Sequence, residues 1–213
     1  MDFLPKDIVA YSEKHTSEEP VLLKKLNRET HANVLKPRML SGNLQGRTLA
    51  LWSHMVTPKL ILEIGTYTGY SALCLAEGLP ENGKIITIEV NEELEAFTRK
   101  FFRDSAFSHK IDFRIGDAAK IIPSITEPID MVFIDADKKN YAKYYNLVFD
   151  KVRKNGIIIA DNVLWSGKVV QSSKIDKETK SLLNFNDMVL NDPRVENILL
   201  PLRDGLMIAR KLI

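Results

Sequence analysis

The most reactive residue types of this chain gather in two short stretches. The first reads Ile134-Asp135-Ala136-Asp137-Lys138-Lys139-Asn140-Tyr141, and the second is Asp161-Asn162. Asp135, Asp161 and Asn162 offer hard oxygen donors with no thiolate or imidazole among them. That set describes a Mg²⁺- or Ca²⁺-type site, with coordination positions left for water or for substrate oxygens. The competing reading makes Asp135 and Asp137 helix caps and Asp161 the start of a turn, which explains one carboxylate well and the cluster poorly. Lys138 lies beside the metal so implied. A nearby cation and partial burial both lower a lysine pKa, which predicts a general base; the alternative is a surface lysine like Lys139. Trp165 could wall an aromatic substrate, or simply pack.

A second set of residues suits a ligand with a nucleoside part but no pyrophosphate. The segment Glu63-Ile64-Gly65-Thr66-Tyr67-Thr68-Gly69-Tyr70-Ser71 has two glycines where a chain can turn tightly against a ligand. It is not the dinucleotide fingerprint G-x-G-x-x-G. Tyr67 stands in place of the second glycine and Tyr70 in place of the third, and the bulk of Tyr67 would block close approach of a pyrophosphate. Glu89 closes the next apolar run, where a carboxylate can accept both hydroxyls of a ribose; the alternative is a solvated strand end. In Gly116-Asp117-Ala118, a carboxylate and an adjacent backbone N–H could read an adenine edge, although Gly-Asp is also ordinary turn chemistry.

These residues sit at the ends of runs that read as parallel strands. The runs are Leu60–Ile64, Lys84–Glu89, Ile111–Ile115, Asp130–Asp135 and Gly156–Asp161. Several are apolar on both faces, as a sheet covered by helices requires. Helical stretches fall between them, at about 70–79, 91–105, 117–124 and 140–153. This alternation predicts an α/β fold with a Rossmann-like doubly wound sheet, whose ligands bind beyond the carboxyl ends of the strands. Helices are expected before it, over residues 5 to about 56. One opens at Pro5-Lys6, one starts near Ser17-Glu18-Glu19 with Ser17 as cap, and one runs from about Gln45 to Met55. After a helix near 177–190, the runs Val195–Leu200 and Leu206–Arg210 are joined by a short turn, which predicts antiparallel pairing at the C-terminal end. The expected organisation is a single domain over 1–213, with a helical extension over 1–56 and the core over 59–213.

Composition narrows the classes. With 30 Lys and Arg against 28 Asp and Glu, the net charge is +2, which argues against nucleic acid or a polybasic membrane surface as partner. The single cysteine, Cys74, forbids an internal disulfide and any Cys-rich zinc or iron–sulfur site. The four histidines are scattered. No apolar run is long enough to span a bilayer, and Met1–Asp7 lacks the layout of a signal peptide, so a cytoplasmic protein is expected.

Three motifs in order carry a resemblance to a known family. Leu62-Glu63-Ile64-Gly65-Thr66-Tyr67-Thr68-Gly69-Tyr70-Ser71, then Asp135-Ala136-Asp137-Lys138-Lys139-Asn140-Tyr141, then Asp161-Asn162-Val163-Leu164-Trp165-Ser166-Gly167-Lys168-Val169 resemble the cation-dependent O-methyltransferases. The nearest group is the bacterial caffeoyl-CoA O-methyltransferase-like proteins, with catechol O-methyltransferase more distant. Asp204-Gly205-Leu206 also looks like the family. The resemblance implies S-adenosylmethionine as cofactor. Glu63, Gly65, Tyr67 and Ser71 would hold its methionine part and Asp137 its amino group, with Asp135 close by. Glu89, followed by Val90, would take the ribose, and Asp117 and Ala118 would lie by the adenine. Met39 and Ser41 would close over it. The resemblance also implies a divalent cation on Asp135, Asp161 and Asn162, with Mg²⁺ ahead of Ca²⁺ or Mn²⁺. Lys138 would be the base, and Lys138 and Trp165 would touch a small aromatic vicinal diol. Gln45 departs from the acidic residue usual in plant members, which leaves the acceptor open. The rival expectations are a nicotinamide-dependent oxidoreductase and a non-catalytic nucleotide-binding protein. Apolar positions on the N-terminal helices beyond what one sheet face needs predict a homodimer.

Overall fold

The computed structural model describes residues 5–171 and 175–213. They fall into two compact units, one over Lys6–Asp117 and one comprising Pro5 and Ala118–Ile213. The fold class is the α/β class expected: a mostly parallel, Rossmann-like sheet of seven strands with an antiparallel C-terminal strand.

The first unit begins with helices α1 (Lys6–Lys14), α2 (Val21–Asn33) and α3 (Gly42–Val56). It continues with strand β1 (Leu60–Ile64), α4 (Tyr70–Ala76), β2 (Lys84–Glu89), α5 (Glu95–Asp104) and β3 (Ile111–Ile115). Strand β2 lies between β1 and β3, and both pairings are parallel. Every residue of β1 is buried, which is why Leu60-Ile61-Leu62 shows no polar alternation. Helices α3 and α4 approach closely at Gly78. A methyl group built there would lie 2.2 Å from the carbonyl carbon of Ser53 and 2.4 Å from the backbone nitrogen of His54. Nearby, Ser53 donates to the Leu75 carbonyl at 2.7 Å, and Arg47 forms a forked pair with Glu77 at 2.5 and 2.9 Å.

Two helix starts differ from expectation. Ser17 does not cap α2, whose N-cap is Pro20, because the residue before a proline is driven to extended backbone and so Glu18-Glu19 stays outside the helix. Glu19 instead accepts the Tyr70 hydroxyl at 2.6 Å. Helix α3 starts at Gly42, three residues before Gln45, with Ser41 as its N-cap residue.

The second unit runs α6 (Ala118–Ile121), β4 (Ile129–Ile134), α7 (Tyr141–Phe149), β5 (Val152–Ala160), α8 (Lys177–Leu190), β6 (Val195–Leu200) and β7 (Leu206–Lys211). Strands β4 and β5 are parallel, whereas β7 is antiparallel to both β5 and β6. The helix expected over 140–153 stops at Phe149, because the buried Val152 is drawn into pairing with Ile129. The register then slips before Met131 pairs with Ile157, and Asn155 takes a left-handed φ of 61°. Helices α7 and α8 meet through Tyr141, Tyr145 and Phe185, with edge-to-face ring contacts at 5.5 and 6.2 Å between centroids.

Candidate active site

The first unit collects one cluster at the carboxyl ends of β1 and β2. Glu63 is fully buried on β1 and accepts a hydrogen bond from Thr87 on β2, whose hydroxyl in turn meets Thr66 at 2.5 Å. The chain then turns through Gly65 (φ 98°), Tyr67 (φ 51°) and Gly69 (φ 90°). Left-handed backbone costs glycine nothing; Tyr67 holds it because three hydrogen bonds fix it there. Its N–H donates to Glu89 Oε2 at 2.7 Å, its carbonyl accepts from Thr98 at 3.0 Å, and its hydroxyl donates to the Leu35 carbonyl at 3.0 Å. Glu89 is 8% exposed, and its other oxygen accepts from the Asn91 N–H at 2.9 Å. It is therefore an anchored carboxylate, not a solvated strand end.

Through its ring, Tyr67 also ties the segment before Met39 to the glycine loop. Met39 is exposed at the end of a short 3₁₀ turn, and Ser41 is buried just beyond it. Ser71 is buried in the first turn of α4. Val90 is 75% exposed. Asp117 is exposed, while Ala118 is buried at the start of α6.

The second unit builds the other cluster at the ends of β4 and β5. Lys138 is only 9% exposed and its Nζ donates to Asp135 Oδ1 at 2.9 Å, Asn162 Oδ1 at 2.7 Å and the Tyr141 hydroxyl at 2.6 Å. The Tyr141 hydroxyl in turn donates a hydrogen bond to the Asp161 backbone carbonyl at 3.0 Å. Asp161 is 2% exposed, and its Oδ1 accepts the Asn162 N–H at 2.6 Å. Asn162 takes a left-handed φ of 59°, which turns its amide oxygen toward the same ammonium. Asp137 is exposed and held elsewhere, by the Tyr144 hydroxyl at 2.7 Å and Asn140 Nδ2 at 2.6 Å. It makes no side-chain cap for the following helix turn. The Trp165 ring centre lies 5.8 Å from Lys138 Nζ and 5.7 Å from Lys168 Nζ.

Without a cation, the electrostatics of Lys138 is set by its neighbours. Burial is the largest influence on Lys138 and pushes its pKa down, but Asp135, Tyr141 and Asp161 together outweigh it, and the net displacement is upward. In the chain alone these neighbours favour the ammonium form of Lys138. Burial likewise pushes the Tyr141 phenol up, more strongly than the adjacent Lys138 pulls it down. The donor set passes a simple test for a hard cation: oxygens of Asp135 and Asn162 already converge on one positive charge. Among the described residues no group of three or more His, Cys, Asp or Glu side chains forms a metal-binding cluster.

Sequence reasoning gives no role to Tyr141, which lies in the motif, or to Tyr144, which lies beyond it. The signal for Tyr141 was available, since Lys138 and Tyr141 are three residues apart on one helical face. The Thr66–Thr87 contact across β1 and β2 leaves no such mark in the sequence.

Comparison with known proteins places this geometry. The O-methyltransferase family matches residues 13–212.

The chain belongs to the O-methyltransferase family.

The methyltransferase is 36% identical over 207 residues to caffeoyl-CoA O-methyltransferase 1 of Arabidopsis thaliana, covering 91% of this chain and 79% of the relative. It is 35% identical over 173 residues to the catechol O-methyltransferase domain-containing protein 1 of Mus musculus, covering 79% and 66%. Among solved structures, the SAH-bound methyltransferase of Podospora anserina matches over 100% of both chains, with a TM-score of 0.90 and 27% identity. The O-methyltransferase of Bacillus cereus in complex with SAH covers 96% of this chain and 97% of that one, with a TM-score of 0.88 and 27% identity. Family membership favours an enzyme of methyl transfer over the oxidoreductase and the non-catalytic readings. No helix among the described residues is long and apolar enough to cross a membrane.

Proposed function

We propose that this methyltransferase uses S-adenosylmethionine and a divalent cation to methylate a hydroxyl of a small aromatic vicinal diol. The observation that carries the metal-dependent reading is the convergence of Asp135 and Asn162 oxygens, with Asp161 adjoining, on a buried cationic spot. S-adenosylmethionine supplies a sulfonium methyl group open to in-line attack by a phenolate. A hard cation, Mg²⁺ before Ca²⁺ or Mn²⁺, supplies Lewis acidity to the two oxygens of a catechol, whose phenol pKa is otherwise about 10.

The chain's own residues do the rest. Glu89 presents a carboxylate, anchored by the backbone amides of Tyr67 and Asn91, for ribose hydroxyls. Glu63, Gly65, Tyr67 and Ser71 line the turn that would take the methionine part, with Asp135 and Asp137 toward its amino group. Asp117, Ala118 and Val90 would take the adenosine part, and Met39 and Ser41 would close over it. Asp135, Asp161 and Asn162 would hold the cation. Lys138 is the proton acceptor at Nζ. A cation held by Asp135 and Asp161 would offset two of the influences that raise its pKa, while burial lowers it. Orientation of the acceptor against the cofactor supplies much of the acceleration. SAH-bound relatives of the same fold and the caffeoyl-CoA and catechol relatives support the cofactor and acceptor classes.

We read the chain as a single methyltransferase domain working in the cytoplasm, where its lone buried Cys74, with a thiol pushed up to about 12 by burial, stays inert. Ile8 and Tyr11 on α1 and Leu51 and Met55 on α3 are exposed, which supports a homodimer. The near balance of charge supports a small molecule over nucleic acid. The test is a methyl-transfer screen over catechols, flavonoids and caffeoyl esters. Methylation of one hydroxyl of a vicinal pair, with monophenols inert, is expected; transfer to monophenols at equal rates would contradict the acceptor class.

A further inference from the structure

Asp204-Gly205 matches the family pattern but has no part in the reaction described above. In the structure this pair grips the segment that carries Asn162 and Trp165. The Asp204 carboxylate accepts the Ser166 N–H at 2.5 Å, and its carbonyl accepts the Leu164 N–H at 2.9 Å. The Gly205 carbonyl accepts the Val163 N–H at 3.2 Å. Three of the four backbone amides of Val163–Ser166 bound in this way leave the segment little freedom to shift.

The segment needs such a grip. Trp165 (φ 45°), Ser166 (φ 62°) and Gly167 (φ 75°) are left-handed in succession, a conformation that non-glycine residues hold only where their surroundings impose it. Nothing in the local pattern explains it otherwise. Trp165 N–H closes a turn on the Asn162 carbonyl at 3.1 Å, and Gly167 N–H closes another on Leu164 at 2.9 Å. On the clamp side, Gly205 has a φ of 88°, and a methyl group there would strike Leu164 Cγ at 2.4 Å. The two segments are therefore fitted to one another. Lys138 Nζ and Lys168 Nζ lie 5.8 and 5.7 Å from the Trp165 ring centre, and the indole Nε1 is buried with no hydrogen-bond partner. A buried indole N–H of this kind is satisfied when an acceptor atom is brought to it.

We infer that Asp204 is a positioning residue for the acceptor: through the Ser166 amide it fixes the Trp165 ring beside Lys138, and so sets the affinity for an aromatic diol. The inference rests on the acceptor class proposed above. It makes Asp204 act on binding of the acceptor and not on the cofactor, whose residues belong to other loops. It also makes the position of the carboxylate oxygen matter more than its charge, because a backbone amide can donate to a neutral amide oxygen as well.

The test is steady-state kinetics with catechol, S-adenosylmethionine and Mg²⁺ for the full chain and for Asp204→Ala, Asp204→Asn and Asp204→Glu. Asp204→Ala, which loses the acceptor atom, is expected to raise the catechol KM at least tenfold, with the cofactor KM within about twofold. Asp204→Asn keeps an oxygen in place and is expected to stay within about threefold of the parent. Asp204→Glu keeps the charge but moves the oxygen, and should resemble Asp204→Ala; it carries the test if Asp204→Ala does not fold. In a Trp52→Phe background, Trp165 is the sole tryptophan, and its emission should shift to the red in Asp204→Ala. Unchanged catechol KM in the folded variants would overturn the inference while leaving the reaction standing. So would a loss of kcat alone in proportion to lost folded protein. A parent enzyme that methylates no diol would instead overturn the acceptor class, and this inference with it.

Discussion

At the scale of single residues, the account turns on Lys138. Its ammonium is bound by Asp135, Asn162 and Tyr141, so its removal deletes a charge and three hydrogen bonds at once. Lys138→Ala is expected to lower turnover about a hundredfold or more while the cofactor dissociation constant stays within about twofold, as calorimetry and initial rates would show. A different residue governs acid stability. Arg194 holds the Asp192 carboxyl down at about 2, against an ordinary value near 4, with the side chain 7% exposed. A carboxyl depressed on folding stabilises the protein above its unfolded pKa, and that contribution is lost as pH falls from about 4 to 2. Asp192→Asn should therefore cost about 1–2 kcal/mol at neutral pH and flatten the acid arm of the stability curve, read by urea melts across pH. That Asp135, Asp161 and Asn162 come together at the ends of β4 and β5 was legible from the strand pattern. The charge state of Lys138 was not, because it depends on the sum of burial and several neighbours, which no spacing rule reports.

At the scale of elements, the parallel strands were legible because their runs are apolar on both faces, as in Ile129–Ile134. Boundaries were less so. Proline at 20 delays α2, and pairing of Val152 with Ile129 ends α7 early, and both are effects of context on a locally permissive sequence. The close approach to α3 just after α4 was invisible in the sequence, since Gly78 falls inside the helix expected over about 70–79. Its missing side chain is what lets the backbone of Ser53 and His54 come close. Gly78→Ala is expected to destabilise the chain by about 1–3 kcal/mol, since the struck atoms are backbone and cannot yield, and to lower the melting temperature by several degrees. Scanning calorimetry checks this, and an unchanged melting temperature would mean the helices separate at no cost.

At the scale of the whole molecule, the chain combines a nucleoside-type cluster in one unit with an oxygen-donor cluster in the other. The apolar side chains left exposed on α1 and α3 predict a homodimer. Light scattering should give twice the mass of one chain, and Met55→Glu should shift that mass toward the single chain. The central claim is that methyl transfer to a vicinal diol needs a hard cation on Asp135, Asp161 and Asn162. The most direct measurement is the initial rate of methyl transfer from S-adenosylmethionine to catechol in excess chelator and again after Mg²⁺ is restored, for the parent and for Asp161→Ala. A loss of at least about a hundredfold in chelator, recovered with Mg²⁺ by the parent and not by Asp161→Ala, is the predicted result. An undiminished parent rate in excess chelator would contradict it.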